Sequence, residues 1–125
     1  MNELRKILHV EDDPDIREIA KMALVDFGGF ELLQCENGEV ALAQAESFAP
    51  DVLLLDMMMP GMTGIETLAA LREIEAFRNT PAIFMTAKDV ATEYEEVLKQ
   101  EAVGTIQKPF DPIALPDQIR AIAAS

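Results

Sequence analysis

Four apolar residues in a row, Val52-Leu53-Leu54-Leu55, run straight into a lone carboxylate, Asp56, and a Pro60-Gly61 turn follows closely. An apolar run this short, bounded by turn residues, reads as a strand covered on both faces, the kind found in parallel α/β sheets. The strand therefore delivers Asp56 to a surface loop. In such sheets ligands sit beyond the carboxyl ends of the strands, where Asp56 stands. A turn-capping Asp is the plainer explanation of one such carboxylate, so the other strand ends decide between the two.

They repeat the pattern. Leu4 to Val10 ends in apolar residues and opens onto Glu11-Asp12-Asp13; Pro14 then suits a first helical position behind an Asp cap. Ile16, Ile19, Ala20, Ala23, Leu24 and Phe27 make one helix face, which Gly28-Gly29 ends. Phe30 to Cys35 is a second strand, and Asn37-Gly38 starts a second helix with Val40, Ala41, Ala45 and Phe48 inward. Thr63 and Glu66 have capping-box spacing ahead of a third helix whose core face takes Leu68, Leu71 and Phe77. Pro81 to Met85 is a fourth strand ending at Thr86, and a fourth helix covers Asp89 to Gln100. Val103 to Gln107 is a fifth strand ending at Lys108-Pro109. Pro116 would break a ladder bond inside a helix, so the last helix is expected to begin there, with Ile119 and Ile122 buried. Strand and helix alternating in this way predict an α/β domain over residues 1–125, with a parallel sheet covered on both faces.

Of the 125 residues, 23 are acidic and 10 basic, a formal charge of -13 that repels a phosphate backbone and argues against direct nucleic-acid binding. The single cysteine, Cys35, cannot pair within the chain, which suits a reducing, cytoplasmic setting. No long apolar run or signal-like amino terminus points to membrane insertion or export.

Glu11, Asp12, Asp56 and Thr86 thus bring oxygen ligands to strand ends, and Lys108 brings an ammonium. Crowded carboxylates repel, and a hard divalent cation relieves them; Mg2+ takes one or two carboxylates plus phosphate oxygens, here Asp12 and Asp56. With Lys108 and the Thr86 hydroxyl beside it, Asp56 is placed to act as a carboxylate nucleophile that forms an aspartyl phosphate.

Val10-Glu11-Asp12-Asp13, Asp56-Met57-Met58-Met59-Pro60-Gly61-Met62-Thr63-Gly64, Met85-Thr86-Ala87 and Lys108-Pro109-Phe110 together resemble the receiver domain of two-component response regulators, nearly end to end. The resemblance implies a flavodoxin-like (βα)5 doubly wound sheet, five parallel strands in order 2-1-3-4-5. It implies that Asp56 accepts a phosphoryl group from a phosphohistidine of a sensor histidine kinase or histidine phosphotransfer protein. By the same resemblance Glu11, Asp12, Asp56 and the Met58 backbone carbonyl surround Mg2+, with Glu11 acting through water. Thr86, Ala87 and Lys108 contact the phosphoryl oxygens, and the Lys108-Pro109 bond is cis. An unknown downstream protein reads the face of the fourth helix, fifth strand and fifth helix. The switch positions are Thr86 and Thr105; the latter is commonly aromatic in the family, and no ring can swing inward here. Tyr94, the only tyrosine, is not assumed to replace it.

Several residues have blander explanations. His9 reads as a satisfied packing residue of an apolar strand, and Met57 to Met62 as gap-filling side chains, not a soft-metal site. Cys35 reads as inert core, and Glu93, Glu95 and Glu96 as a solvated helix face. A haloacid-dehalogenase-type phosphatase needs a second Asp two residues beyond the nucleophile, where this chain has Met58, so an enzyme is disfavoured. A receiver fold kept for phosphorylation-independent docking is the remaining alternative.

Overall fold

The computed structural model describes residues 4–124. Five parallel strands lie in the order β2-β1-β3-β4-β5, where β1 is Lys6–Val10, β2 Glu31–Cys35, β3 Val52–Asp56, β4 Ala82–Thr86 and β5 Gly104–Gln107. The strand order and flavodoxin-like topology are those expected. Helices α1 (Pro14–Lys21), α2 (Gly38–Phe48), α3 (Gly64–Arg72), α4 (Lys88–Glu93), α5 (Glu95–Glu101) and α6 (Leu115–Ala123) cover the two faces.

The period of two along β3 splits its leucines between two cores. Leu53 and Leu55 join Leu8, Val10 and Phe84 beneath α2 and α3, together with Ala41, Ala45, Leu68 and Leu71. Val52 and Leu54 join Ile7, Ile83 and Met85 on the other side, against Ala23, Leu24, Leu115 and Ile119. All five residues of β3 are buried. Each fully buried Leu, Ile or Phe contributes about 1.5–3 kcal/mol, so the central strand is anchored from both sides.

Strand register carries the chemistry to one place. Val10 pairs with Leu55, so Glu11 comes level with Asp56. Asp56 pairs with Met85 and Thr86 with Gln107, which sets Thr86 and then Lys108 one step further along each neighbouring strand. The Lys108 amide donates to the Thr86 carbonyl at 2.9 Å, and the Lys108-Pro109 bond is cis. At the opposite end Asp51 lies before β3, and its Oδ2 accepts from the amides of Arg5 and Lys6 at 3.0 and 2.9 Å.

Helix starts follow the sequence closely. Asp13 caps α1 ahead of Pro14, Asn37 caps α2, and Thr63 and Glu66 form the reciprocal capping box of α3. Pro116 sits in the first turn of α6, and Ile119 is buried while Ile122 is half-buried. Helix interiors depart from expectation in three places. After Lys21 the first helix widens into a π-helical segment, Met22–Phe27. A π turn takes more residues than an α turn, so Phe27 rotates off the core and is 58% exposed, and Ile19 is also exposed. Phe77 is buried, yet it belongs to a separate 3-10 turn, Glu75–Phe77, not to α3. The acidic fourth helix is two helices, broken at Tyr94, whose φ of -107° and ψ of 22° leave the helical region. The Tyr94 ring packs against the core while Glu93, Glu95 and Glu96 stay in solvent.

Gly64 opens α3 against the back of the acidic strand end. A Cβ there would lie 2.2 Å from the Asp56 carbonyl oxygen and 3.0 Å from the Met57 Cα, both backbone atoms that cannot swing aside. Gly64→Ala is expected to lower stability by about 2 kcal/mol or more, read as a lower denaturation midpoint with an unchanged slope. An unchanged midpoint would show that the Asp56–Gly64 contact is soft.

Candidate functional site

Glu11, Asp12, Asp56, Met58, Thr86 and Lys108 line one cleft of about 330 Å³ at the carboxyl ends of β1, β3, β4 and β5, and Ala87 joins them. The residues singled out from the sequence are therefore neighbours, with one exception: Thr105 lies outside this cleft. It lines an adjacent groove of about 550 Å³ between α4, α5 and β5, and Thr86 forms part of both walls.

Asp56 is 5% exposed and Glu11 fully buried, whereas Asp12 stands in solvent. Carboxylate oxygens of the three come within 4.8 Å of one another. The Lys108 ammonium bridges the two buried members, 2.7 Å from Glu11 Oε1 and 3.1 Å from Asp56 Oδ1. Apart from that ion pair, Glu11 Oε1 has no aligned hydrogen-bond donor among the described residues, while Glu11 Oε2 accepts from the Asp13 amide at 3.2 Å. Three carboxylates against one ammonium leave two uncompensated negative charges when all are ionised. An all-oxygen cluster with that residual charge fits a hard divalent cation.

Protonation follows the same crowding. Burial, and then the Glu11 carboxylate beside it, push the Asp56 carboxyl up from 3.8 to about 7, with Lys108 pulling the other way. For Lys108, burial alone would favour loss of its proton, but hydrogen bonding to Glu11 and attraction to Asp56 outweigh burial, and its pKa is raised. Lys108 thus stays an ammonium between two acids.

The loop after Asp56 is pinned to the sheet: the Met57 amide donates to the Met85 carbonyl at 3.1 Å and the Met57 carbonyl accepts from Gly64 at 2.9 Å. Met57 and Met59 are buried, which bears out their packing role, while Met58 projects at the mouth of the cleft, 53% exposed. The Thr86 hydroxyl, 2% exposed, donates to the Ala87 carbonyl at 3.2 Å. Cys35 is buried, as expected. His9 is buried but not satisfied: Nδ1 meets the Gln34 amide nitrogen at 3.1 Å, while Nε2 has no partner among the described residues. Burial, followed by the charges of Lys108 and Arg17, drives its pKa down to about 3, so it is a neutral imidazole.

Arg17 belongs to the site although no local motif marks it. Its Nη1 donates to the Glu11 carbonyl at 2.7 Å, holding the peptide that leads into Asp12. Its position four residues beyond the Asp13 cap faces it toward the end of β1, a relation that only the helix's docking angle makes visible.

Comparison with known proteins agrees with this geometry. The sequence profile of the response regulator receiver domain matches residues 7–120. The transcriptional regulatory protein CpxR of Klebsiella pneumoniae is 40% identical over 95% of this chain and 49% of its own length, and the phosphate regulon regulator PhoB of Pseudomonas aeruginosa is 36% identical over 94% and 51%. This chain spans about half the length of those two regulators. The chemotaxis response regulator CheY4 of Vibrio cholerae superposes with a TM-score of 0.86 at 31% identity, covering 96% of this chain and 99% of that one. Among the described residues no helix is long and apolar enough to cross a membrane. With five strands in receiver order and an acidic pocket at their carboxyl ends, the chain belongs to the response regulator receiver domain family, the phosphorylation-based signalling module of two-component systems.

Proposed function

We propose that Asp56 is the phosphoacceptor of a receiver unit spanning residues 1–125, loaded by a phosphohistidine on a sensor histidine kinase or histidine phosphotransfer protein. The observation that carries this reading is a buried carboxylate that lines a cleft, with an ammonium 3.1 Å from its Oδ1 and two further acids within reach. An Asp56 oxygen attacks phosphorus as the phosphorus–nitrogen bond to the donor imidazole breaks, and that electron pair returns to the imidazole nitrogen. Lys108 and the Thr86 hydroxyl, which turns from the Ala87 carbonyl, meet the charge on the phosphoryl oxygens with the Ala87 amide. Glu11, Asp12, Asp56 and the Met58 carbonyl hold Mg2+, which when bound neutralises charge on the transferring group.

The protein works stoichiometrically, as a carrier and not as a multiple-turnover enzyme. Met58 stands where a haloacid-dehalogenase-type phosphatase needs its general acid. The reading extends to a cytoplasmic setting for a reduced, buried Cys35, and to an output made through protein contacts on the face of α4, α5, β5 and α6. A charge of -13 keeps nucleic acid away from the domain itself.

Incubation with acetyl phosphate and Mg2+ is expected to add one phosphoryl group per chain, and Asp56→Asn to abolish it. Labelling of Asp56→Asn as strong as the parent's would refute the assignment. Lys108→Ala is expected to slow labelling about 100-fold while leaving Asp56 as the labelled residue, checked by peptide mapping after borohydride trapping.

Stability follows from the raised Asp56 pKa. The folded value of about 7 lies above the ordinary 3.8, so between them the folded chain holds a proton that the unfolded chain has lost. The stability this group contributes is complete below the lower value and is lost as pH rises to the upper one. In the absence of divalent cations, Asp56→Asn is therefore expected to melt several degrees or more above the parent at about pH 8, the gap closing as pH falls toward about 4. A parent that melts above Asp56→Asn at the higher pH would show that Lys108 fully compensates the buried charge.

A further inference from the structure

Behind the acidic turn, on the side away from the cleft, a chain of polar contacts crosses from β2 to β1 by way of α1. His9 and Gln34 are directly paired across β1 and β2. The Gln34 amide nitrogen spends both hydrogens: it lies 3.1 Å from His9 Nδ1 and 2.8 Å from the Arg17 carbonyl. The carbonyl can only accept, so the amide is oriented nitrogen-inward, and the neutral imidazole accepts at Nδ1. Arg17 then reaches from α1 to the Glu11 carbonyl at 2.7 Å, and the Glu11 amide closes the circuit by donating to the Cys35 carbonyl, next to Gln34, at 3.0 Å.

These contacts hold the one peptide whose rotation sets the direction of Asp12. Glu11 is fixed through its own side chain by Lys108, but Asp12 is exposed, and among the described residues no hydrogen bond to its carboxylate is seen. Its direction depends on the backbone at Glu11, and that depends on Arg17. Arg17 in turn is steadied by the Gln34 amide on its own carbonyl.

We propose that Gln34 is a positioning residue for the metal-ligating turn: by tying the second turn of α1 to His9, it fixes Arg17 on the Glu11 carbonyl and so presets Asp12 for a divalent cation. The proposal rests on the phosphoacceptor reading of Asp56 and concerns how the cation is held there. A residue that orients a ligand from behind changes metal affinity, and here the effect is relayed through two hydrogen bonds. A residue that merely glues β2 to α1 changes stability alone.

The test is calorimetric titration of the unphosphorylated protein with Mg2+, paired with Asp56 labelling rates from acetyl phosphate over a range of Mg2+ concentrations. Gln34→Met keeps the length and charge of the side chain and removes both donated bonds. It is expected to weaken Mg2+ binding about three- to tenfold while the labelling rate at saturating Mg2+ stays within about twofold of the parent's. Unchanged Mg2+ affinity, with or without a lower melting temperature, overturns the proposal, as does a lower saturating rate at unchanged affinity. Arg17→Gln provides a second arm that does not depend on Gln34→Met folding. Removing a positive charge beside the acids should strengthen cation binding by Coulomb attraction, whereas losing the hold on Glu11 should weaken it. At about 1 M salt, where charges are screened beyond about 3 Å, weaker binding is expected; equal or tighter binding overturns the proposal. A parent that is never labelled at Asp56 overturns the phosphoacceptor reading itself, whereas a labelled parent with unchanged variants refutes only the role given to Gln34 and Arg17.

Discussion

The ammonium of Lys108, lodged between Glu11 and Asp56, is the contact on which the arrangement of the strand ends depends. Two buried carboxylates side by side repel, and an apolar sheet offers them little relief; one cation shared between them turns that repulsion into a bridge from β5 to both β1 and β3. β5 and β1 are not hydrogen-bonded to each other, since β3 and β4 lie between them. The side chain of Lys108 therefore does what no backbone ladder can do, spanning from the edge of the sheet to its centre. Removing one partner of such a pair leaves an uncompensated charge, which costs about 3–5 kcal/mol where burial is complete. The same residue is thus both a structural tie and a positive charge 3.1 Å from Asp56 Oδ1.

Thr86 forms part of the wall between the acidic cleft and its neighbouring groove. Its hydroxyl is bonded to the next carbonyl, Ala87, at the start of α4, and its residue borders both the acidic cleft and the groove beside Thr105. Thr105 is exposed and too small to fill the space, and Tyr94 packs instead against the core, half-buried at the break between α4 and α5. The groove is accordingly bounded by short helices joined at a non-helical residue, elements that rearrange more readily than one continuous helix of the same length.

What was legible in the sequence was whatever local chemistry dictates. The β3 run could only be a two-sided strand; Asp13-Pro14, Asn37-Gly38 and the Thr63/Glu66 pair each carry their own cap; and the acids, hydroxyl and lysine fall at strand ends, which parallel register must bring together. What was not legible depends on packing between elements. The spacing of Ala23, Leu24 and Phe27 suits an α-helix, and the wider π turn ends where α6 packs so closely that a Cβ on Gly28 would lie 3.0 Å from the Pro116 Cβ. The break at Tyr94 falls where an aromatic ring packs on the core within a solvated acidic stretch, and no local sequence signal marks it. His9 read as an apolar-strand resident and is one by burial, but its half-satisfied ring belongs to a polar circuit whose other members, Gln34 and Arg17, lie 25 and 8 residues away in sequence.

That circuit also explains why polar groups are tolerated in a sheet otherwise built of Leu, Ile and Val. The buried polar residues of the strands and their ends, His9, Glu11, Asp56 and Thr86, all lie at the carboxyl-terminal end of the sheet, while the opposite ends of β3 and β4 are apolar throughout. Each raises the free energy of the folded state unless its partner is present, and the partners come from different elements: Gln34 from β2, Lys108 from beyond β5, and Ala87 at the start of α4. Stability is therefore concentrated in the apolar stretches of β1, β3 and β4, and their carboxyl ends hold the charged and polar groups. When Glu11, Asp12 and Asp56 are all ionised, the two negative charges that Lys108 leaves uncompensated, held on an apolar sheet, make a site whose occupancy changes the energy of the whole tip. This is the physical property a phosphorylation-driven module requires, and in this chain it comes from where the apolar residues stop.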